Sequence, residues 1–152
     1  DQEGYGLSWS EINTLNLASG SDDNKVCIWS LEKDVSGEIF PIITYTDHTN
    51  IVEDVCFSKK DANLLGSVSD DCSLRLYDLR AKKCVQTAIV HESNVNSLDF
   101  NPVKDNLIIT GSSDKSIKLW DKRNLQKSIY TFEWHTNDVM TVKLETKLDI
   151  GE

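Results

Sequence analysis

Residues 91–121 read HESNVNSLDFNPVKDNLIITGSSDKSIKLWD, and this stretch decides the fold. A His opens it, and apolar and polar residues alternate from Val95 to Phe100. A turn with Asn101, Pro102, Asp105 and Asn106 leads to an apolar run from Leu107 to Thr110. A second polar turn centres on Ser113 and Asp114 and precedes another alternating run, Ser116 to Trp120. Alternation gives an extended chain two unlike faces, and clusters of Pro, Asn, Asp and Ser end it. Short alternating runs bounded by turns every 8–12 residues or so predict consecutive antiparallel strands.

The neighbouring sequence repeats this order. Residues 48–78 read HTNIVEDVCFSKKDANLLGSVSDDCSLRLYD, with the same length and sequence of features. The three His stand at 48, 91 and 135, steps of 43 and 44 residues. A second motif, Ser-x-Asp-x-x-apolar-x-apolar-aromatic, recurs at Ser21/Asp23/Trp29, Ser69/Asp71/Tyr77 and Ser112/Asp114/Trp120. Four short strands per period of about 40–45 residues, closed by Trp-Asp, is the pattern of the WD-repeat β-propeller. The closing dipeptides here are Trp29-Ser30, Tyr77-Asp78 and Trp120-Asp121. The expected fold is all-β: blades at about 2–45, 46–89 and 90–133, the first strand of a fourth within 134–144, and a tail, 145–152. Propellers have roughly four to eight blades, so part of a larger ring, seven-bladed by the resemblance described below, is expected.

Strands are predicted at 4–9, 15–19, 25–29 and 39–45 in the first blade and at 52–57, 64–69, 73–77 and 84–88 in the second. The third blade should have them at 95–100, 107–110, 116–120 and 128–132, and 139–144 should open the fourth. The aromatic-to-His step is 19 residues after Trp29 but 14 and 15 in the later blades, so the charged loop 30–37 carries an insertion.

Lys and Arg number 16 and Asp and Glu 25, a formal charge of −9. That balance disfavours a phosphate-binding surface and suits a basic partner. The basic pairs Lys82-Lys83 and Lys122-Arg123 are short and near turns, which fits solvated faces better than nucleic-acid binding. The Cys, at 27, 56, 72 and 84, form no C-x-x-C pair, so a reducing compartment is expected. No apolar run approaches the roughly 20 residues of a membrane-spanning helix. Neither a membrane nor a cofactor or metal is expected, for there is no Gly-rich phosphate loop and no zinc-ligand spacing.

His, Ser and Asp recurring together resemble a catalytic triad. An enzyme needs one such site, whereas this set recurs once per blade. The expected role is structural: a buried hydrogen-bond network of His48, Ser69, Asp71 and Tyr77, of His91, Ser112, Asp114 and Trp120, and of Asp23 and Trp29. Ser19, Ser67 and Thr110 lie two residues earlier on the same strand face and are equally placed to join it.

The candidate binding site comes from aligning the inner strands on their last apolar residue, Trp9, Phe57, Phe100 and Leu144. Four residues before these stand Tyr5, Glu53, Asn96 and Met140, which should ring one mouth of the central channel. Two residues earlier still, Glu3 and Asp138 add acidic groups. Such a set can take the Arg or Lys of an extended peptide by charge-assisted hydrogen bonds, with Tyr5 packed on its stem.

Several segments carry a closer likeness. EGYGLSW (3–9), VEDVCF (52–57), GSVSDD (66–71), SLDFNP (97–102) and TGSSDKSIKLWDKRNL (110–125) resemble the retinoblastoma-binding, histone-chaperone branch of WD-repeat proteins, which includes the small subunit of chromatin assembly factor one. The resemblance implies a seven-bladed, non-enzymatic scaffold, nuclear or both nuclear and cytoplasmic. It implies binding to histones three and four within chromatin assembly, acetyltransferase, deacetylase, remodelling or Polycomb-type complexes. Family members grip basic histone-tail or corepressor peptides at the channel mouth; the matching positions are Glu3, Tyr5, Glu53, Asn96 and Asp138, with Met140 where relatives carry an aromatic. A general interaction scaffold, such as a ubiquitin-ligase receptor or trafficking subunit, is the alternative, and the acidic mouth separates the two.

Overall fold

The computed structural model describes residues 4–32 and 37–145. Twelve strands lie among them: β1 (Gly4–Trp9), β2 (Asn16–Ser21), β3 (Val26–Ser30), β4 (Pro41–Tyr45), β5 (Val52–Phe57), β6 (Leu64–Ser69), β7 (Ser73–Asp78), β8 (Lys83–Ile89), β9 (Val95–Phe100), β10 (Leu107–Ser112), β11 (Ile117–Asp121) and β12 (Tyr130–Phe132). They form three antiparallel sheets, β1-β2-β3-β4, β5-β6-β7-β8 and β9-β10-β11-β12. This is the expected all-β architecture, part of a WD-repeat propeller. Strands β1, β5, β6 and β9 occupy the residues predicted for them, while β4 and β12 start two residues later. Pro41 opens β4 at a sheet edge, where its missing N–H costs no ladder bond.

The same turn joins the second and third strands of every sheet. Asn24, Cys72 and Lys115 each occupy left-handed backbone there, with φ of 64°, 64° and 71°. Their N–H groups donate to Ser21, Ser69 and Ser112 carbonyls at 3.1 Å. The preceding Asp side chain accepts the N–H of the residue after the turn, as in Asp71 Oδ1 with Ser73 N at 3.0 Å. The repeated Asp and the left-handed residue are one local device.

Apolar residues fill the spaces between sheets. One core joins Ala18, Val26 and Ile28 of the first sheet to Val55, Phe57, Leu65 and Tyr77 of the second. Another joins Val68, Leu74 and Leu76 of the second sheet to Leu98, Phe100, Ile108 and Trp120 of the third. The middle sheet is therefore covered on both faces, and β6 and β7 show burial at nearly every residue.

The inner strands β1, β5 and β9 lie side by side but share no backbone ladder. A sheet edge leaves N–H groups without partners. Here side chains of the preceding strand accept them. Phe57 N donates to Ser8 Oγ at 3.1 Å, and Leu98 N to Asp54 Oδ2 at 3.0 Å. Where β1 has no side chain, at Gly6, it comes so close to β5 that an added Cβ would sit 2.7 Å from Asp54 Cα.

Residues 139–144 differ from expectation: they form no strand. They still follow β9 as an inner strand would. Val142 N donates to Ser97 Oγ at 3.3 Å and Leu144 N to Asp99 Oδ2 at 2.8 Å. Val139 and Val142 are buried. Side-chain clamps hold the segment in place, but among the described residues no ladder partner makes it a strand. Of the expected tail, only Glu145 lies within the described residues.

Candidate functional site

Two constellations carry polar chemistry. The first is the His–Asp network. In the third sheet, Trp120 Nε1–H can only donate, and it does so to Thr110 Oγ1 at 2.9 Å. Thr110 is thereby left to direct its own O–H at His91 Nε2, 2.7 Å away. His91 Nδ1 then carries the ring proton and donates to Asp114 Oδ2 at 2.8 Å. Ser116 N and Oγ complete the carboxylate from 2.9 and 2.6 Å. The second sheet brings the same groups together, with His48 Nδ1 at 2.8 Å from Asp71 Oδ2 and Nε2 at 2.6 Å from Ser67 Oγ, but here Ser67 Oγ donates to Tyr77 OH at 3.4 Å.

The hydroxyl between His and the aromatic ring is thus Ser67 or Thr110 rather than Ser69 or Ser112. The latter pair serve the turn: Ser69 Oγ donates to Asn50 O and Ser112 Oγ to Asn94 O, while each accepts the N–H of Asp71 or Asp114. The reason is the two-residue period of a strand, which places both hydroxyls on one face but only the earlier one on the near diagonal to the aromatic residue, whose cross-strand partners are Ile108 and Leu65. In the first sheet Trp29 Nε1 donates to Ser19 Oγ at 3.0 Å, and Asp23 pairs with Lys25 Nζ at 2.7 Å. Lys25 stands where the later sheets have Ser73 and Ser116.

Burial alone would raise the Asp71 and Asp114 carboxyls, but the hydrogen bonds from His and Ser outweigh it and hold both well below the usual carboxylate range. The hydrogen bond from Lys25 likewise lowers Asp23. Burial pushes His91 below its ordinary value, against the pull of Asp114. Ser67 and Thr110 are wholly buried, so neither presents a nucleophile to solvent. The networks bind the sheets internally.

The second constellation is the channel mouth. Tyr5, Glu53, Asn96 and Met140 line a single cavity of about 350 Å³, with Asp54, Ser97 and Thr141 beneath them. The backbone explains the convergence. Each inner strand slips register at this point: pairing shifts between Gly4 and Leu7 in β1, across Glu53 in β5 and across Asn96 in β9. An extra residue in one strand of a pair is a β-bulge, which re-aims its side chain away from the regular alternation. Successive bulges thus turn one residue per inner strand towards the same opening.

The mouth is electrostatically tense. Burial, and then the nearby Asp70 carboxylate, push Glu53 above the ordinary Glu value. Burial also raises Asp70, whose Oδ1 is enclosed with no hydrogen-bond partner among the described residues. Asp54 is raised by burial, though Leu98 N, Ser97 Oγ and Val55 N donate to it. Asn96 Nδ2 donates to Ser113 Oγ at 3.1 Å and Val139 O at 3.0 Å. Tyr5 and Met140 are half or more exposed, so apolar surface stands beside the carboxylates.

Asp138 is exposed and does not line this cavity, and Glu3 lies outside the described residues. Asp70, which acts on Glu53 from beside the cavity rather than lining it, is missed by aligning the inner strands because it comes from the β6–β7 turn. The doubled Asp of GSVSDD is its signal.

Three four-stranded sheets, each with a His- or Lys-paired Asp at the same turn, define a segment of a WD-repeat propeller. The WD domain, G-beta repeat family matches residues 5–30, 40–78 and 82–121, more than half of the chain, and the chain belongs to that family. A similar protein is "WD-40 repeat-containing protein MSI3" of Arabidopsis thaliana, 37% identical over 131 residues. The aligned region is 86% of this chain and 31% of that protein, so the chain spans about a third of its relative's length. This likeness accords with the branch that EGYGLSW and VEDV resemble.

Proposed function

We propose that this chain is part of a histone-binding scaffold, and that the mouth formed by Tyr5, Glu53, Asn96 and Met140 captures an extended basic peptide. The general role of a WD-repeat protein, mediating protein–protein contact without bond chemistry, is that of the class. The finer reading is carried by one observation: three bulges and the segment after β12 aim their residues into one partly desolvated acidic cavity. Glu53 lines this cavity with Asp70 close beside it, so an Arg or Lys seated in the cavity offsets their like charge as it forms charge-assisted bonds. Tyr5 and Met140 offer the stem of that side chain an apolar bed. Asp138, on the exposed approach, adds to the field that draws in a basic segment.

The proposed partners are histones three and four, through their basic tails or similar corepressor segments, within chromatin assembly or chromatin-modifying complexes. The proposed location is therefore the nucleus. The test is calorimetric titration of an Arg-containing histone-tail peptide into the full-length protein. Removing one partner of a charge-assisted bond costs about 1.5–3 kcal/mol, so Glu53→Gln should weaken binding about ten-fold or more. Added salt should weaken it as well. Lowering the pH should loosen the peptide early, because Glu53 and Asp70 take up protons above the ordinary carboxylate range. Equal affinity in the wild type and Glu53→Gln would remove the site and leave the general scaffold.

A further inference from the structure

We propose that a groove between the first and second sheets, on the side opposite the acidic mouth, binds a short extended peptide of another protein carrying a large apolar side chain flanked by carboxylates. The groove encloses about 240 Å³ between the β1–β2 loop, β4 and the loops around β6 and β7. Its floor is aliphatic: Ile28 is fully buried, and Leu79 and Ile43 pack in the core beneath it. Ile42, at its edge, remains 51% exposed, so apolar area stays wet until something covers it. The volume suits the side chains of a short segment and is too small for a folded domain.

Charge identifies the occupant. Among the described residues, Arg80 and Lys82 are the charged ones lining the groove and no carboxylate lines it, in a chain whose net charge is −9. Arg80 is tied to Asp78 at 3.2 Å, but Lys82 has no ion-pair partner among the described residues. Lys83 follows immediately at the start of β8. The amide side chains of Asn13, Asn16 and Asn63 line the wall and make no hydrogen bond among the described residues, which leaves them for the backbone of an extended strand. An aliphatic floor without aromatic rings gives nucleic-acid bases nothing to stack on. The sign of this groove is opposite to that of the mouth, so the two surfaces select different ligands.

Fluorescence polarisation on the full-length protein tests the proposal, using three labelled hexapeptides. These are Ser-Leu-Asp-Leu-Glu-Ser, its Lys-substituted form Ser-Leu-Lys-Leu-Lys-Ser, and Ser-Ser-Asp-Ser-Glu-Ser without the apolar groups. The first should bind at least ten-fold more tightly than either of the others. Arg80→Glu with Lys82→Glu should weaken it ten-fold or more, whereas the charge-matched pair Lys104→Glu and Lys127→Glu, at exposed sites elsewhere, should not. Ile42→Asp should weaken it to a similar degree. Absent binding, equal binding of the three peptides, or indifference to the Arg80/Lys82 change would overturn the proposal. Concentration-dependent dimerisation abolished by Ile42→Asp would overturn it in favour of a second copy as occupant.

Discussion

Replacing Thr110 by Val removes one oxygen from the centre of the third sheet and little else. Val keeps the β-branched shape and the extended preference of Thr, so neither the strand nor the surrounding packing has cause to move. The lost hydroxyl is wholly buried and joins Trp120 Nε1–H to His91 Nε2, at 2.9 and 2.7 Å. Both partners are nearly inaccessible to water, at 4% exposure each. His91 cannot shift its proton to compensate, because Nδ1–H is committed to Asp114 Oδ2. Two buried polar groups are stranded, each at a cost of about 1–3 kcal/mol, so the expected loss is roughly 2–6 kcal/mol. Urea unfolding of the full-length protein, followed by Trp fluorescence, should show a lower midpoint with an unchanged slope. Thr131→Val, an exposed change on β12, should move the midpoint little. A loss below about 0.5 kcal/mol for Thr110→Val would refute the relay.

Other consequences can be measured directly. Gly66→Ala places a methyl group 2.7 Å from Leu98 Cδ1 and 3.1 Å from Phe100 Cε2, so it should destabilise by about 1–3 kcal/mol through overpacking. A double-mutant cycle with Leu98→Ala should show coupling, since the two side chains contend for one space. His91 should stay neutral in the folded protein at pH values where an ordinary His, at 6.5, is half protonated, which NMR titration reads. Its folded pKa is depressed, so the unfolded chain takes up the proton first and this group's contribution to stability falls as pH drops through about 6.5. Asp71 and Asp114, also depressed, contribute stability above the ordinary carboxylate range that is lost as pH falls through it towards their folded values. Retained His91 neutrality without any acid-side loss attributable to it, judged against His91→Gln, would break the link.

The repeat was legible because the physics that sets it is local. One Asp, one left-handed turn residue and one aromatic per period lie within a few residues of each other, and the sequence displays them in register. Fixing the hydroxyl partner required the third dimension. Ser112 and Thr110 share a strand face, and only the opposing ring decides between them. The bulges had a signal that strict alternation obscured. Val52 and Val55, Val95 and Leu98, and Val139 and Val142 are three residues apart, whereas the apolar residues after them are two apart. That one-residue excess marks the extra residue in β5 and β9, whereas β1, reading GYGLSW, carries no such mark. The clamps from Ser8, Asp54, Ser97 and Asp99 looked like ordinary polar alternation, because the strand they serve lies about a blade further along the chain. The missing strand at 139–144 follows from the same distinction: apolar alternation places a segment against its neighbour, but a strand also needs a ladder partner.

The bulge also explains why one fold can carry a specific site. In the regular part of an inner strand, every residue is already committed. Val55 and Phe57 fill the core, Asp54 holds β9 and Asp99 the segment 139–144, and the backbone bonds the second strand of its own sheet. A change at any of these disturbs the packing between sheets. The bulged residue belongs to neither the core nor the regular ladder, so Tyr5, Glu53 and Asn96 differ in size, charge and polarity while the backbone around them does the same thing three times. The ring geometry collects these positions at one opening. Architecture therefore rests on the repeated Asp, His and aromatic residues, and in the proposed function ligand choice falls to the residues at the bulges. A substitution at the mouth should accordingly alter binding with little effect on the unfolding midpoint, whereas one in the His–Asp relay should alter the midpoint first. Measuring both quantities for Glu53→Gln and Thr110→Val separates the two roles, and equal shifts in both quantities for both variants would show that the division is false.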